Sequence, residues 1–263
     1  MKQHPMDEAP LDKETPLESD PPPRELIKTL RQAQRVAAVT GAGVSAESGV
    51  PTFRDALTGL WARYRPEELA TPQAFQRDPR LVWEWYTWRR ELIAGVQPNP
   101  GHYALAEMEN LIPLFTLITQ NVDGLHQQAG SRKVIELHGN IQHNLCSAEG
   151  RRVRDWKQSD ELPPRCPQCG AYLRPDVVWY GENLPAAALD EAMSAARESQ
   201  VFFSIGTSSL VQPAASLPLL ALERGALVVE INPQQTPLSE MAHFCMRGAS
   251  GKVLPALIEA VWD

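Results

Sequence analysis

Cysteine is scarce, with four in 263 residues, and long apolar runs are missing altogether. A membrane-spanning helix needs about 20 consecutive apolar residues, and no stretch of the chain offers them. The first 23 residues hold six prolines and six acids against Lys2 and Lys13, with no arginine and almost nothing apolar. Such a segment buries too little to fold, so 1–23 is expected to be a disordered tail. It has no apolar stretch for a signal peptide and is too acidic for a transit peptide, which makes the cytoplasm the expected location. An excess of positive charge is also lacking. The formal charge is −7, of which the tail carries −4, and an acidic folded part argues against a nucleic-acid partner. There is no internal repeat, and no low-complexity segment beyond the tail.

What the chain does hold is a hydrophobic fraction of 43%, enough for a substantial core. At this length one large domain with a smaller insertion is the natural arrangement. Short apolar runs at 36–40, 114–119, 134–137, 201–205 and 227–231 read as buried parallel strands. Amphipathic stretches at 24–34, 102–110, 186–198, 214–224 and 252–262 are long enough to be crossover helices, so the expected class is α/β with a doubly wound parallel sheet. Two segments break the alternation: 57–96 is helical in pattern and rich in aromatics, while 141–182 holds three cysteines, basic residues and prolines. Both read as insertions that form a smaller domain. Trp83, Trp85 and Trp88 are expected to pack inside the first. Arg151, Arg152 and Arg154 are expected to form a solvated cluster in the second.

The first strand runs into Gly41-Ala42-Gly43-Val44-Ser45-Ala46, a G-x-G-x-x-A turn between a strand and a helix. Glycines there permit a tight turn and let backbone N–H groups approach a pyrophosphate, although glycine pairs after strands also occur in plain loops. The acidic residue that a dehydrogenase carries about 20 positions later, at the end of a second strand, is missing. Ser48-Gly49-Val50-Pro51-Thr52-Phe53-Arg54-Asp55 follows instead.

Cys146, Cys166 and Cys169 cluster in a region bounded by glycine and proline, which in a cytosolic chain suggests metal rather than disulfides. A structural zinc site wants two C-x2-C pairs. Here Cys146-Ser147-Ala148-Glu149 precedes Cys166-Pro167-Gln168-Cys169 by 16 residues, so Glu149 stands where the fourth cysteine belongs. A carboxylate or the nearby His143 can complete a zinc site, and without metal the three cysteines are buried thiols; both readings stand. Cys245 is isolated and expected to be a small buried apolar residue.

GAGVSAESGVPTFR, TQNVDGLHQQAG, ELHGN, LRPDVVWYGE, GTSSLVQPA and EINP, in that order over roughly 26–260, resemble the ordered motifs of the sirtuins. The resemblance implies a Rossmann-type NAD-binding domain from 24–56, 97–140 and 183–263. It implies a small domain made of a helical module (57–96) and a zinc-ribbon-like module (141–182), with NAD as co-substrate between the domains and Zn2+ in the ribbon. Carried over by position, Gly41, Ala42, Gly43 and Ser45 resemble the pyrophosphate turn, and Thr52, Phe53 and Arg54 the loop that closes over NAD. Gly206, Thr207 and Ser208 resemble a second phosphate and ribose contact, and Asn232 the adenine-ribose contact. Gln120, Asn121 and Asp123 resemble the surroundings of the nicotinamide ribose and carboxamide, with Asn121 and His138 as the catalytic pair and Cys146, Cys166 and Cys169 as metal ligands.

The chemistry is consistent with that set. Breaking the nicotinamide–ribose bond builds positive charge at C1′, so an amide oxygen held in line can attack once water is excluded. A ribose hydroxyl must then lose a proton, and histidine is the side chain best suited to take it near neutral pH. His138 sits at a strand end before Gly139, where a cleft-facing base is sterically easy, although an isolated histidine there would more often be a half-buried loop residue.

Val178, Trp179, Tyr180, Gly181 and Glu182 resemble the family's peptide-binding edge, with Tyr180 where phenylalanine is usual; without the family they are the end of an apolar strand and a turn. Tyr86 and Arg89 are three residues apart, hence on one helix face, where a phenol and a guanidinium can grip a carboxylate. With Ala70, this Tyr-x-x-Arg resembles the desuccinylase and demalonylase sirtuins. The bland alternative packs Tyr86 in the core and sends Arg89 to solvent. The expected function is NAD-dependent removal of succinyl, malonyl and acetyl groups from lysines of proteins or peptides, giving nicotinamide, 2′-O-acyl-ADP-ribose and free lysine. The alternatives are an NAD hydrolase or mono-ADP-ribosyltransferase, against which the peptide edge argues, and a non-catalytic NAD or ADP-ribose sensor, which would not need His138 and Asn121.

Overall fold

The apolar runs form strands in the computed structural model, which describes residues 21–51, 64–156 and 161–263. In chain order the strands are Arg35–Thr40 (β1), Leu114–Thr119 (β2), Val134–Glu136 (β3), Gly139–Cys146 (β4), Leu173–Val177 (β5), Val201–Ile205 (β6), Leu227–Ile231 (β7) and Phe244–Met246 (β8). Six of them make one sheet, ordered β3-β2-β1-β6-β7-β8 and parallel throughout. The last five residues of β1 and all of β6 are buried, because helices cover both faces of the sheet. Helices Arg24–Gln32 (α1), Pro100–Leu111 (α6) and Ser250–Trp262 (α10) cover one face with Leu26, Leu30, Leu105, Met108, Val253 and Leu257. Helices Ala186–Glu198 (α8) and Leu217–Glu223 (α9) cover the other with Ala192, Ala196, Leu217 and Ala221. The fold is Rossmann-like α/β.

β8 is short, and its pattern marks it poorly: Phe244 is half-buried, Cys245 exposed and Met246 buried. Cys245 is therefore not the buried apolar residue expected, since it points outward from the sheet's last strand. α6 begins two residues earlier than its apolar pattern does. Asn99 caps it, Pro100 opens it, and His102 closes a capping box on the Asn99 backbone.

The helices Pro66–Leu69 (α3), Pro72–Arg77 (α4) and Pro79–Ala94 (α5) pack with the antiparallel β4–β5 pair. Leu69, Phe75, Trp85, Tyr86, Ile141, Val177 and Trp179 share one core. Trp83, on another side of α5, packs instead with Cys146, Val153, Cys166 and Leu173. Trp83 and Trp85 are thus core residues as expected, and Trp88 lies partly buried beside them. The apolar stretch around Val178 is strand only as far as Val177; the chain then turns, with Gly181 at φ +85°. Arg151 and Arg152 lie at the surface but pair with Glu149 and Asp176. Residues 1–20 of the tail, Thr52, Phe53 and Arg54 lie outside the described residues. Among the described residues no helix is long and apolar enough to cross a membrane.

Candidate active site

β1 and β6 are neighbours although their connections run to opposite sides of the sheet, which places a crevice at their carboxyl ends. The two loops leaving these strands lie backbone on backbone. Gly41 N–H donates to Ile205 O at 3.0 Å and Gly43 N–H to Gly206 O at 2.8 Å. A Cβ on Gly41 or Gly43 would come within 2.8 Å of the Gly206 carbonyl, and one on Gly206 within 2.6 Å of Val44 N. Glycine at these positions is a packing requirement, and it leaves Ala42 and Gly43 exposed at the rim. Thr207 Oγ1 accepts from Gln120 Nε2 at 3.1 Å, and Asn232 Nδ2 donates to Thr207 O at 2.9 Å. The ends of β1, β2, β6 and β7 thereby bring together Gly41, Gln120, Thr207 and Asn232, with Ser208 exposed beside them.

Beneath this rim lies a buried polar cluster. Ser45 Oγ donates to Asp123 Oδ2 at 2.8 Å, and Asn121 Nδ2 donates to Gly41 O at 3.0 Å and to Ser45 Oγ at 3.1 Å. Burial raises the Asp123 carboxyl, opposed by the Leu125 N–H and the Ser45 hydroxyl. Behind Ser45 stand His102 and His126, with ring centroids 4.8 Å apart. His126 Nε2 lies 2.9 Å from Thr40 Oγ1. Burial pushes His102 down to about 4 and, together with the neighbouring His102, His126 down to about 3, so both are neutral imidazoles. Sequence reading assigned these two no role. The signal for His102 was its place three residues after Asn99, where a side chain can reach back to a cap.

His138 stands between β3 and β4. Its Nδ1 lies 2.9 Å from the Gln120 carbonyl, which as an acceptor fixes the proton on Nδ1 and leaves Nε2 with its lone pair. Burial lowers its pKa and the Gln120 carbonyl partly restores it. Gly139 follows at φ +79°, and a Cβ there would meet Asp176 O at 2.2 Å, so only glycine lets the chain leave the histidine this way. The His138 carbonyl accepts from Val178 N–H at 2.9 Å.

On α5, Tyr86 is 1% exposed and Arg89 7%. The side chain is largely buried rather than extended into solvent, the alternative expected for it. The guanidinium lies 5.3 Å from the centre of the Trp85 ring, and a hollow bounded by Val50, Pro51, Leu92 and Ile93 reaches it. Burial lowers the Arg89 pKa, opposed by Tyr86 and Asp123. Burial also pushes the Tyr86 phenol up to about 12. Trp179 Nε1 donates to Tyr86 Oη at 3.0 Å. Ala70 is buried and its carbonyl accepts from Tyr180 N–H at 2.9 Å, while the Tyr180 side chain is exposed. Glu182 takes two bonds from Arg174, at 2.5 and 2.9 Å. Arg174 went unnoticed in the sequence although it lies within LRPDVVWYGE.

The sulfurs of Cys146, Cys166 and Cys169 lie within 4.8 Å of one another, two of the residues being buried. Tetrahedral zinc with sulfurs at about 2.3 Å separates them by about 3.8 Å, so the trio fits zinc. Neither Glu149 nor His143 joins it. The Glu149 carboxylate is held by Arg151, whose Nη2 lies 3.6 Å from Cys166 Sγ.

A sequence profile described as the Sir2 family matches residues 41–213. The chain is 52% identical to the NAD-dependent protein deacylase of Methylococcus capsulatus over 252 residues, 90% of this chain and 96% of the relative. It superposes on a Sir2 homologue solved with NAD at a TM-score of 0.84, with 49% identity, covering 91% of this chain and 94% of the other. It matches a Sir2 enzyme solved with a peptide and NAD+ at 0.79 and 30% identity, covering 90% and 97%. A glycine crevice at the switch point, a neutral histidine behind it and agreement over nine-tenths of the chain leave one assignment: this protein belongs to the Sir2 family.

Proposed function

We propose that this chain removes acyl groups from protein lysines at the expense of NAD, with His138 as the base and a preference for acyl groups that end in a carboxylate. NAD-dependent deacylation rests on family membership, on relatives named for it and on Sir2 structures holding NAD or ADP-ribose. The acidic preference rests on one observation, the burial of Arg89 beside Tyr86. A hollow bounded by Val50, Pro51, Leu92 and Ile93 reaches Arg89, and a guanidinium there with the Tyr86 phenol one helical turn away suits an acyl carboxylate.

The residue roles follow from position. Gly41, Ala42 and Gly43 carry the pyrophosphate, with Thr207, Ser208 and Asn232 at the riboses and Gln120, Asn121 and Asp123 toward the nicotinamide. Bound NAD supplies a C1′ that becomes electrophilic as nicotinamide leaves. The Nε2 of His138 then takes the ribose proton, since Nδ1 is engaged by Gln120. Val178 to Glu182 receive the peptide backbone, and Ala70 leaves room for the acyl chain. Cys146, Cys166 and Cys169 hold zinc as a scaffold, away from the chemistry.

The test is mass spectrometry of products from NAD with acetyl-, malonyl- and succinyl-lysine peptides. Free lysine peptide with nicotinamide and 2′-O-acyl-ADP-ribose, fastest from succinyl or malonyl, is the expected result. Nicotinamide release with the peptide unchanged would point to an NAD hydrolase instead.

A further inference from the structure

The indole N–H of Trp179, buried in the core around α5, takes as its acceptor the hydroxyl of Tyr86. We propose that Trp179 is a positioning residue for acyl selectivity: its indole N–H occupies one lone pair of the Tyr86 hydroxyl and so reserves the phenol proton for the carboxylate of a bound acyl group. The inference rests on the acidic-acyl reading above.

A tyrosine hydroxyl has one proton to give and two lone pairs to receive. With a donor 3.0 Å from the oxygen, its own proton cannot turn toward Trp179, and the remaining directions lie on the other side of the phenol. Burial pushes the phenol up to about 12, so the proton stays on the oxygen at neutral pH. The indole itself is held on several sides. Phe75 lies 5.3 Å away between ring centres, and the Arg174 guanidinium is 3.4 Å from the ring centre. Arg174 is fixed by both oxygens of Glu182 and by the Val177 carbonyl, and Glu182 also accepts the backbone N–H of Trp179 at 2.8 Å. One carboxylate thus sets both the backbone and the ring of Trp179. The segment proposed to receive the peptide and the phenol proposed to grip the acyl group therefore share a side chain, across 93 residues of sequence.

A purely structural role would leave selectivity untouched, because Trp179 would then pack and Tyr86 would merely satisfy its N–H. The experiment is a double-mutant cycle of Trp179→Phe and Tyr86→Phe, assayed with succinyl- and acetyl-lysine peptides of the same sequence. Trp179→Phe keeps an aromatic ring and removes the donor. It is expected to lower the succinyl-to-acetyl ratio of kcat/KM about three- to tenfold, the range for one neutral hydrogen bond, and to do so through the succinyl KM. The double variant should be no less selective than Tyr86→Phe alone. Losses that multiply, or a Trp179→Phe effect equal on both peptides, would overturn the inference while a succinyl preference in the wild type keeps the acidic-acyl reading. A wild type that prefers acetyl overturns both. Should Trp179→Phe fail to fold, 3-benzothienylalanine at position 179 replaces the N–H with sulfur at nearly constant shape, and the same outcomes decide.

Discussion

Arg89 and His138 are both drawn away from water, with opposite consequences. For the guanidinium, deprotonation is out of reach, so it stays a permanent cation at the hollow proposed to take the acyl group. Removing it with Arg89→Met should cost the charge-assisted contact, about 1.5–3 kcal/mol, or roughly ten- to more than a hundredfold in kcat/KM for succinyl peptides. Deacetylation should change only a few-fold, and steady-state assays on the two peptides decide it; equal losses would refute the acyl assignment. For the imidazole, burial favours the neutral form, which is the form that accepts a proton. A lowered pKa keeps the base available to lower pH, so the acid limb of kcat/KM should fall below the ordinary histidine value of about 6.5. His138→Ala should cut turnover by about 10²–10⁴ with NAD binding retained by calorimetry. The placement of the glycines in a turn after β1 and of His138 at a strand end before Gly139 was legible in the sequence, because each sits inside a contiguous motif. His102 and His126 were not, because what gives them meaning is a partner far along the chain, such as Ser45 for His102, 57 residues away, whereas Arg174 was missed although Glu182 is only eight residues on, because the turn that brings them together is not a pattern of residue types.

Among the elements, the buried parallel strands were the easiest to read, since helices on both faces leave unbroken apolar runs. β8 escaped because an outer strand of three residues carries too little pattern, and the strand ending at Val177 was read too long because its apolar character continues after it leaves β4. The β4–β5 pair poses the question of metal. It is anchored by Trp83 from α5, but the end of β4 at Cys146 and the loops around it that carry Cys166 and Cys169 have little core of their own. One zinc per chain is expected, lost on Cys166→Ser together with the order of these loops. Elemental analysis of fresh protein with no stoichiometric zinc would speak against it. The spacing announced the cluster of three sulfurs and the want of a fourth; the Arg151 bridge between Glu149 and Cys166 could not be read from it.

At the scale of the whole molecule, stability should depend on pH through the two neutral imidazoles beneath the crevice. Unfolded, each would titrate near 6.5; folded, they titrate at about 4 and about 3. Their contribution is therefore complete above pH 6.5 and is lost as pH falls toward 4, because protons bind the unfolded chain first. At about 1.4 kcal/mol per unit, the loss amounts to several kcal/mol. Denaturant melts between pH 7 and 4.5 should show the decline, and His126→Gln should flatten it; an unchanged slope would mean that other groups govern the acid limb. The class of fold followed from periodicity, but the way α5 divides its aromatics between two cores did not, because a helix with apolar residues on several sides has no single face to predict.

His138 hangs from two places at once, its ring on the Gln120 carbonyl and its own carbonyl on Val178 N–H. A ligand that stiffens either attachment stiffens the residue they share. The entropy of ordering is then spent once for two guests, and the second arrives at a site already half settled. Thermodynamic reciprocity carries this further: by whatever factor the nucleotide tightens the hold on a peptide, the peptide must tighten the hold on the nucleotide.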